Sequence, residues 1–214
     1  MKEYSLIMGL TDYISVILFC VAGGIFIKML YNKSRLRHFV LLNGGFFFAG
    51  FAGLCKATYK TLYGGGICDI PLLNNIHMFL LSVGICMAGY SLIRITGRQN
   101  HRLNIYSVSP VIVTSNMPFI IMNVVGATAL LVGIIRFAKK LQSKTAVLSV
   151  SGFFVIEMTA GFVGSRLDFD KSAVNWIGQG LQTLANLMLL MSAVNLNKKM
   201  KENESTVSFW NQYK

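Results

Sequence analysis

The chain has 214 residues, of which 54% are hydrophobic and 13% are charged, whereas soluble globular domains carry about 25% charged residues. This contrast excludes a disordered chain, an ordinary soluble enzyme and a nucleic-acid-binding domain with a basic surface, and it indicates an integral membrane protein. The formal net charge of +12 fits this class, because Lys and Arg of multi-span proteins gather in cytoplasmic loops and face anionic lipid headgroups.

Long apolar stretches mark the predicted helices. Spanning about 30 Å of hydrocarbon takes roughly 20 apolar residues per helix. Stretches of about this length predict spans at 10–31, 38–63, 73–96, 118–137, 145–166 and 172–196, the last of which carries a polar face. The segment 101–117 is less certain as a span, because it contains Pro110 and has only a short apolar core.

The distribution of basic residues decides between six and seven spans. Six spans place 11 of the 20 Lys and Arg inside and 9 outside, whereas seven spans with an external N-terminus place 15 inside and 5 outside. The positive-inside rule therefore predicts an all-α protein of the cell membrane with seven transmembrane helices over 1–196. Segment 101–117 is then a short fourth helix. We expect the polar, basic tail 197–214 to be cytoplasmic, where it lies along the headgroups or is loose.

The two halves of the chain resemble each other. Residues 49–53 read AGFAG and residues 160–164 read AGFVG, and each motif follows an apolar helix and a short basic loop. This similarity predicts a 3+1+3 parallel internal repeat, with halves at 9–96 and 118–196 joined by 101–117. Chance similarity is the alternative, because Gly, Ala and Phe are common in membrane helices.

A 3+1+3 plan with an external N-terminus is similar in layout to the seven-helix sugar carriers of the SWEET class and, more loosely, to microbial rhodopsins. The Pro-Gln dipeptide of the SWEET class is absent from this sequence, and 172–196 contains no lysine that could hold retinal. The resemblance therefore covers the layout alone and assigns no family.

Small residues recur at the spacing that allows two helices to approach closely. Gly45, Ala49 and Gly53 form such a stripe, and Gly84 with Ala88 and Ala129 with Gly133 have the same four-residue spacing. Such stripes predict helix packing within the bundle, and they could equally form the face of a homo-oligomer.

Glu157 is the one acidic side chain deep within a predicted span. It follows Thr145 by 12 positions, which is about 18 Å along a helix and close to the membrane centre. An unpaired carboxyl group there costs several kcal/mol, so it should face the bundle interior or a water-filled cavity. This position makes Glu157 a candidate proton carrier or cation ligand. The alternative is a protonated acid that hydrogen-bonds to a neighbouring helix and stabilises the bundle.

Four amides share one face of the last predicted span. Asn175, Gln179, Gln182 and Asn186 follow each other at spacings of four, three and four, which places them on one side of a helix. Four amides cannot face lipid, so the stripe should face protein or water. It could bind a polar solute or ion, or it could hydrogen-bond to other helices.

A second polar set lies toward the predicted outer side, with Asp12, Lys56 and His77 as its candidate ligand-binding residues. Lys60 lies one turn after Lys56, so an ion pair with Asp12 is one interpretation and lysines that extend to the headgroups are the other. His77 has no partners at metal-ligand spacing, and no GxSxG nucleophile motif is present. We therefore expect no metal site, no cofactor and no catalytic residues.

Together these features favour a multi-pass membrane transporter or permeation protein for a small polar solute or cation, with proton coupling through Glu157. One alternative is a ligand-sensing or accessory membrane subunit without transport, and a second is an intramembrane lipid hydrolase. The expected partners are the lipid bilayer and the solute, with no nucleic acid.

Overall fold

The computed structural model describes residues 4–31, 34–97, 117–166 and 172–212. Six α-helices run through these ranges: α1 (Leu6–Leu30), α2 (Leu36–Gly64), α3 (Pro71–Thr96), α4 (Met117–Lys140), α5 (Lys144–Arg166) and α6 (Ser172–Gln212). Five of them, α1, α2, α3, α4 and α6, are long and apolar enough to cross a membrane by length and composition. The described part of the chain is therefore an all-helical bundle of the kind found in multi-pass membrane proteins.

Local sequence signals explain where the helices begin and end. The Ser5 hydroxyl accepts a hydrogen bond from the Met8 backbone N–H and caps α1, and Pro71 occupies the first turn of α3, where its missing N–H is not needed. Between α4 and α5 the chain reverses in three residues, with Gln142 in the left-handed region at φ 54°. This short turn forces α4 and α5 to run antiparallel.

Three further pairs of neighbouring helices also run antiparallel. Between α1 and α2, Gly9 lies beside Thr61 and Gly23 beside Phe46. Between α2 and α3, Gly45 lies beside Ala88 and Ala49 beside Gly84. Between α5 and α6, Ala146 lies beside Ser192 and Glu157 beside Gln182. In each pair one residue number rises as the other falls, which defines the direction.

Two pairs of neighbouring helices run parallel. Phe79 of α3 packs against Phe119 of α4, and Leu92 lies against Gly133 at the other end of the same pair. In the same way, Gln179 of α6 bonds to the start of α1, and Asn186 bonds farther along it. The six helices therefore form a closed ring in chain order, in which α6 returns to α1.

The parallel pairs give the ring two distinct ends. At one end α1, α3, α4 and α6 begin, and the rings of Tyr4, Tyr59 and Tyr63 pack together there. We call this the tyrosine end. At the opposite end, the basic end, the described residues include Lys28, Arg35, Arg37, Arg94, Arg136, Lys139, Lys140, Lys144, Lys198, Lys199 and Lys201.

An apolar core fills the half of the ring that adjoins the basic end. All six helices contribute buried side chains to it, and Phe26, Leu92, Ile134 and Leu189 are among its fully buried members. Its residues come from the second halves of α1, α3 and α4, from the first halves of α2 and α5 and from the middle of α6. We call the two parts of the ring the basic half and the tyrosine half.

Small residues allow the backbones of α2 and α3 to approach closely. A Cβ added at Gly45 would lie 2.5 Å from the Ala88 backbone nitrogen, and one added at Gly84 would lie 2.5 Å from that of Ala49. The predicted stripes on these helices therefore face each other within one chain. Gly133, from the third stripe, lies against Leu92 of α3.

The described residues do not test the seven-helix and internal-repeat predictions, whereas they correct the predicted end of the last helix. The predicted fourth helix, 101–117, lies outside the described residues except for its last residue, so six helices are observed and neither a seventh helix nor an internal repeat is established. Helix α6 does not end at Leu196 but continues to Gln212, because no Gly or Pro follows Leu196 in the helix and Met200 packs into the core.

Candidate functional site

A buried ion pair joins α1 to α2 in the tyrosine half. Lys60 Nζ lies 2.8 Å from Asp12 Oδ2, and the side chains are 6% and 14% exposed. Lys60 also donates a hydrogen bond of 2.8 Å to Asn175 Oδ1 of α6, and the Tyr4 ring lies 5.7 Å from its ammonium group. This contact set neutralises the Lys60 charge with a carboxylate, an amide and an aromatic face. Of the two predicted interpretations, the ion pair is the observed one for Lys60.

Three of the four predicted amides are buried between α6 and α1. Gln179 Nε2 donates to the Met8 carbonyl oxygen at 3.0 Å, and its Oε1 accepts from Thr11 Oγ1. Asn186 Nδ2 donates to Ser15 Oγ at 2.7 Å. Asn175 accepts from the Lys60 ammonium, as described above. The bonds of Gln179 and Asn186 hold the parallel helices α6 and α1 together, and the Asn175 bond joins α6 to α2. A ligand-binding role for these three amides stays a prediction.

The fourth amide, Gln182, points elsewhere. Its Nε2 donates a hydrogen bond of 2.7 Å to Glu157 Oε1 of α5, while Gln182 itself remains exposed. Glu157 as a residue is half-buried. The structure therefore brings together two residues that the sequence placed on adjacent helices, and it separates Gln182 from the other amides of its stripe.

Lys56, Glu157 and Gln182 all point to the interior of the ring. Each lies nine residues from a strongly exposed apolar side chain on the outer face of its own helix, and the three pairs are Lys56 with Phe47, Glu157 with Leu148, and Gln182 with Met191. Nine residues are about two and a half helical turns, so each polar group lies on the side opposite the apolar one. All three retain accessible surface. The ring interior is therefore open at their level.

Lys56 has the most unusual surroundings of the three. Its charge interacts with Asp12, Lys60 and Glu157, and it also acts on His77. These groups belong to α1, α2, α5 and α3, so the ammonium group lies among four helices. Within the described ranges, however, no hydrogen bond or ion pair involves Lys56. It is an accessible cation inside the bundle without a protein partner there.

His77 contributes less to this arrangement. It is half-buried on α3, and its Nδ1–H donates to the Asn74 carbonyl oxygen one turn earlier. In the described part of the chain, no three His, Cys, Asp or Glu side chains lie close enough together to hold a metal ion. The chemistry of the site therefore rests on one ammonium group, one carboxyl group and one amide.

Sequence reasoning named all three residues but did not group them. Lys56 was assigned to an outer set with Asp12 and His77, whereas Glu157 and Gln182 were assigned to the pocket. Each of the three polar residues lies nine positions from a large apolar residue of the same helix. This shared spacing could have indicated that the three polar side chains face one common interior. Tyr4, Thr11 and Ser15 were missed as partners of the polar residues, since nothing in their spacing marks them.

Comparison with known proteins gives no relative from which a role could be taken. No family model, no curated protein and no solved structure matches this chain. The functional argument therefore depends on the geometry alone.

Proposed function

We propose that this chain is a membrane carrier for a small polar solute, with its binding site in the tyrosine half between Lys56, Glu157 and Gln182. The observation that carries the proposal is the accessible polar interior at these residues, directly beyond an apolar core to which all six helices contribute. An accessible polar site beside a closed apolar core is the arrangement expected of one state of an alternating-access carrier.

Glu157 is the group we assign to proton coupling. It lies 13 residues from the start of α5, or about 20 Å along the helix and well inside the bilayer. Its carboxyl group contacts Gln182 and lies within electrostatic range of Lys56. Ionisable groups at this depth commonly mark ion and proton pathways in membrane proteins.

We also propose that the chain crosses the membrane seven times. Because α3 and α4 are parallel, Gly97 lies at the basic end and Met117 at the tyrosine end, and the chain between them passes from one end to the other. The 19 residues between them would span about 28 Å as a helix, which is close to the thickness of the hydrocarbon core. The basic end is then cytoplasmic by the positive-inside rule, with the N-terminus outside the cell.

The order of helices in the ring supports the proposed internal duplication. Each pair of neighbouring helices has an equivalent pair three helices later in the ring. The antiparallel pairs α1 and α2 and α2 and α3 correspond to the antiparallel pairs α4 and α5 and α5 and α6. The parallel pair α3 and α4 corresponds to the parallel pair α6 and α1. Two halves related in this way share one direction in the membrane, as in carriers with parallel repeats.

Flux through liposomes tests the carrier proposal. Purified protein is reconstituted, a panel of small polar solutes is presented, and internal pH and solute uptake are followed. We expect a solute-dependent proton flux that Glu157→Gln abolishes. Glu202→Gln is the matched control, because Glu202 is exposed at the basic end, and it should leave the flux unchanged. Uptake with an unaltered pH dependence in Glu157→Gln would refute the coupling role.

The long α6 favours a second candidate function, ligand sensing without transport. This helix carries Gln182 and Asn186 in the tyrosine half and continues to Gln212 beyond the basic half, for 41 residues or about 60 Å. A rigid element of this length could transmit occupancy of the site to a cytoplasmic partner. A ligand that raises the melting temperature but produces no flux in liposomes would favour this function over transport.

A further inference from the structure

We infer that the solute is a small zwitterion, whose carboxylate binds Lys56 and whose ammonium group binds Glu157 and Gln182. This inference rests on the proposed function, because it assigns the substrate class of the same site. It follows from which charges in the tyrosine half already have partners and which do not.

Two of the charges around the site pair with each other, and the other two, Lys56 and Glu157, have no ionic partner among the described residues. Asp12 and Lys60 contact each other at 2.8 Å and neutralise each other. Lys56 and Glu157 interact electrostatically, yet their charged atoms are farther apart than the 4.0 Å that defines an ion pair. Two opposite charges therefore face the open interior without touching.

Lys56 and Glu157 lie at similar depths below the tyrosine end of the ring. Lys56 lies 8 residues before the end of α2 and Glu157 lies 9 residues before the end of α5, and both helices end at the tyrosine end. The two positions are therefore about 12 and 14 Å below the helix ends. A molecule between them would lie across the ring, roughly in the membrane plane.

A ligand with one charge satisfies only one side of this site. A simple cation beside Glu157 would be repelled by Lys56, and a simple anion on Lys56 would be repelled by the Glu157 carboxylate. A zwitterion contacts both groups with favourable charge and leaves the net charge of the site unchanged. Gln182 donates to Glu157 through its amide nitrogen, so its carbonyl oxygen is available to accept from the ligand ammonium group.

Binding to the purified full-length protein in detergent tests this inference without requiring transport. The zwitterionic probes are L-alanine, β-alanine and 4-aminobutyrate, which differ in the separation of their charges. The single-charge probes are propionate, butyrate and propylamine. The melting temperature and the heat of binding are measured for each probe at concentrations up to about 10 mM. This limit is about tenfold above a millimolar Kd, so even weak binding would be detected. We expect at least one zwitterion to raise the melting temperature, and none of the single-charge probes to do so.

Variants assign the two ends of the ligand. Lys56→Met should weaken zwitterion binding at least tenfold and allow propylamine to bind, whereas Glu157→Gln should allow propionate or butyrate to bind. Lys139→Met at the basic end is the matched control and should bind as the wild type does. If Lys56→Met does not fold, Lys56→Gln removes the same charge with a polar side chain and should weaken zwitterion binding at least tenfold, whereas Lys56→Arg keeps the charge and should retain binding.

Three results would overturn the inference: no zwitterion binds the wild type, a single-charge probe binds it as tightly as the matching zwitterion, or Lys56→Met binds zwitterions unchanged. The failure of the carrier proposal looks different. Zwitterions would then bind in detergent with the expected dependence on Lys56 and Glu157, but the same probes would not cross the liposome membrane.

Discussion

The two halves of the ring are stabilised by different kinds of interaction. In the basic half, apolar side chains from all six helices form a continuous core, and its most buried members have no accessible surface. In the tyrosine half, hydrogen bonds and an ion pair connect α1 with α2 and α6, and the interior at Lys56 remains accessible. The difference indicates that rigidity is concentrated at one end and access at the other.

Polar contacts in the tyrosine half are mostly made between helices rather than within them. Gln179 and Asn186 tie α6 to α1, and Gln182 ties α6 to α5. Helix α6 is therefore the element that links the frame of the site to its accessible groups. A movement of α6 relative to α5 would change the Glu157 contact while the bonds to α1 persist.

The largest expected effect comes from breaking the ion pair of the tyrosine half. Asp12→Asn should lower the free energy of unfolding by about 3 to 5 kcal/mol, because it leaves the Lys60 ammonium buried without its countercharge. Unfolding in mixed detergent micelles measures the change. The double variant Asp12→Asn with Lys60→Met should recover much of the loss, since no uncompensated charge then remains.

The exposed ion pair of the basic end provides the control for that measurement. Lys199 Nζ and Glu202 Oε2 are also 2.8 Å apart, but both side chains are 46% exposed. Lys199→Met should change stability by less than about 1 kcal/mol. Equal losses from the two pairs would contradict the assignment of a buried, desolvated pair to the tyrosine half.

In the basic half, the largest effect should come from a cavity in the core. Leu92 is fully buried, and Leu92→Ala should cost about 2 to 4 kcal/mol in the same unfolding assay. Leu148→Ala is the matched control, because Leu148 is 76% exposed on the outer face of α5 and should lose much less. A similar loss at both positions would mean that the basic half is not tightly packed.

Closely packed glycines distinguish a helix contact from an open helix face. Gly84→Ala should destabilise the bundle by about 1 to 3 kcal/mol, because its Cβ would lie 2.5 Å from the Ala49 backbone nitrogen and would force α2 and α3 apart. A Cβ added at Gly24 would have no atom within 4 Å. Gly24→Ala should therefore be neutral or should stabilise the protein by up to about 1 kcal/mol, as expected from helix propensity. Detergent unfolding of the two variants side by side provides the test.

The sequence predicted the helices well, because apolar length alone specifies a span. The start and end of α3, at Pro71 and Thr96, lie within two residues of the predicted 73–96. The end of α6 was missed, because polarity alone does not stop a helix and no Gly or Pro follows Leu196 within it.

Partnerships between side chains were harder to predict than the helices that carry them. The four amides share a helical face by periodicity, yet Gln182 bonds to α5 and the other three bond across to α1 or to Lys60 of α2. Periodicity gives the direction of a side chain to within about a quarter of a turn, whereas neighbouring helices in a ring can both lie within that angle. Only the arrangement of the helices decides which partner is reached.

The smallest expected effect concerns the bonds between α1 and α6. Asn186→Ala removes the hydrogen bonds to Ser15 and should cost about 0.6 to 1.7 kcal/mol, the range found for single interhelical bonds in membrane proteins. Thr128→Ala is the matched control, because Thr128 bonds only to the Val124 carbonyl of its own helix on an exposed face, and its loss should be near zero. If Asn186 serves only the frame, solute binding should survive its replacement, whereas a tenfold loss of binding would extend the site from Gln182 along α6 toward α1.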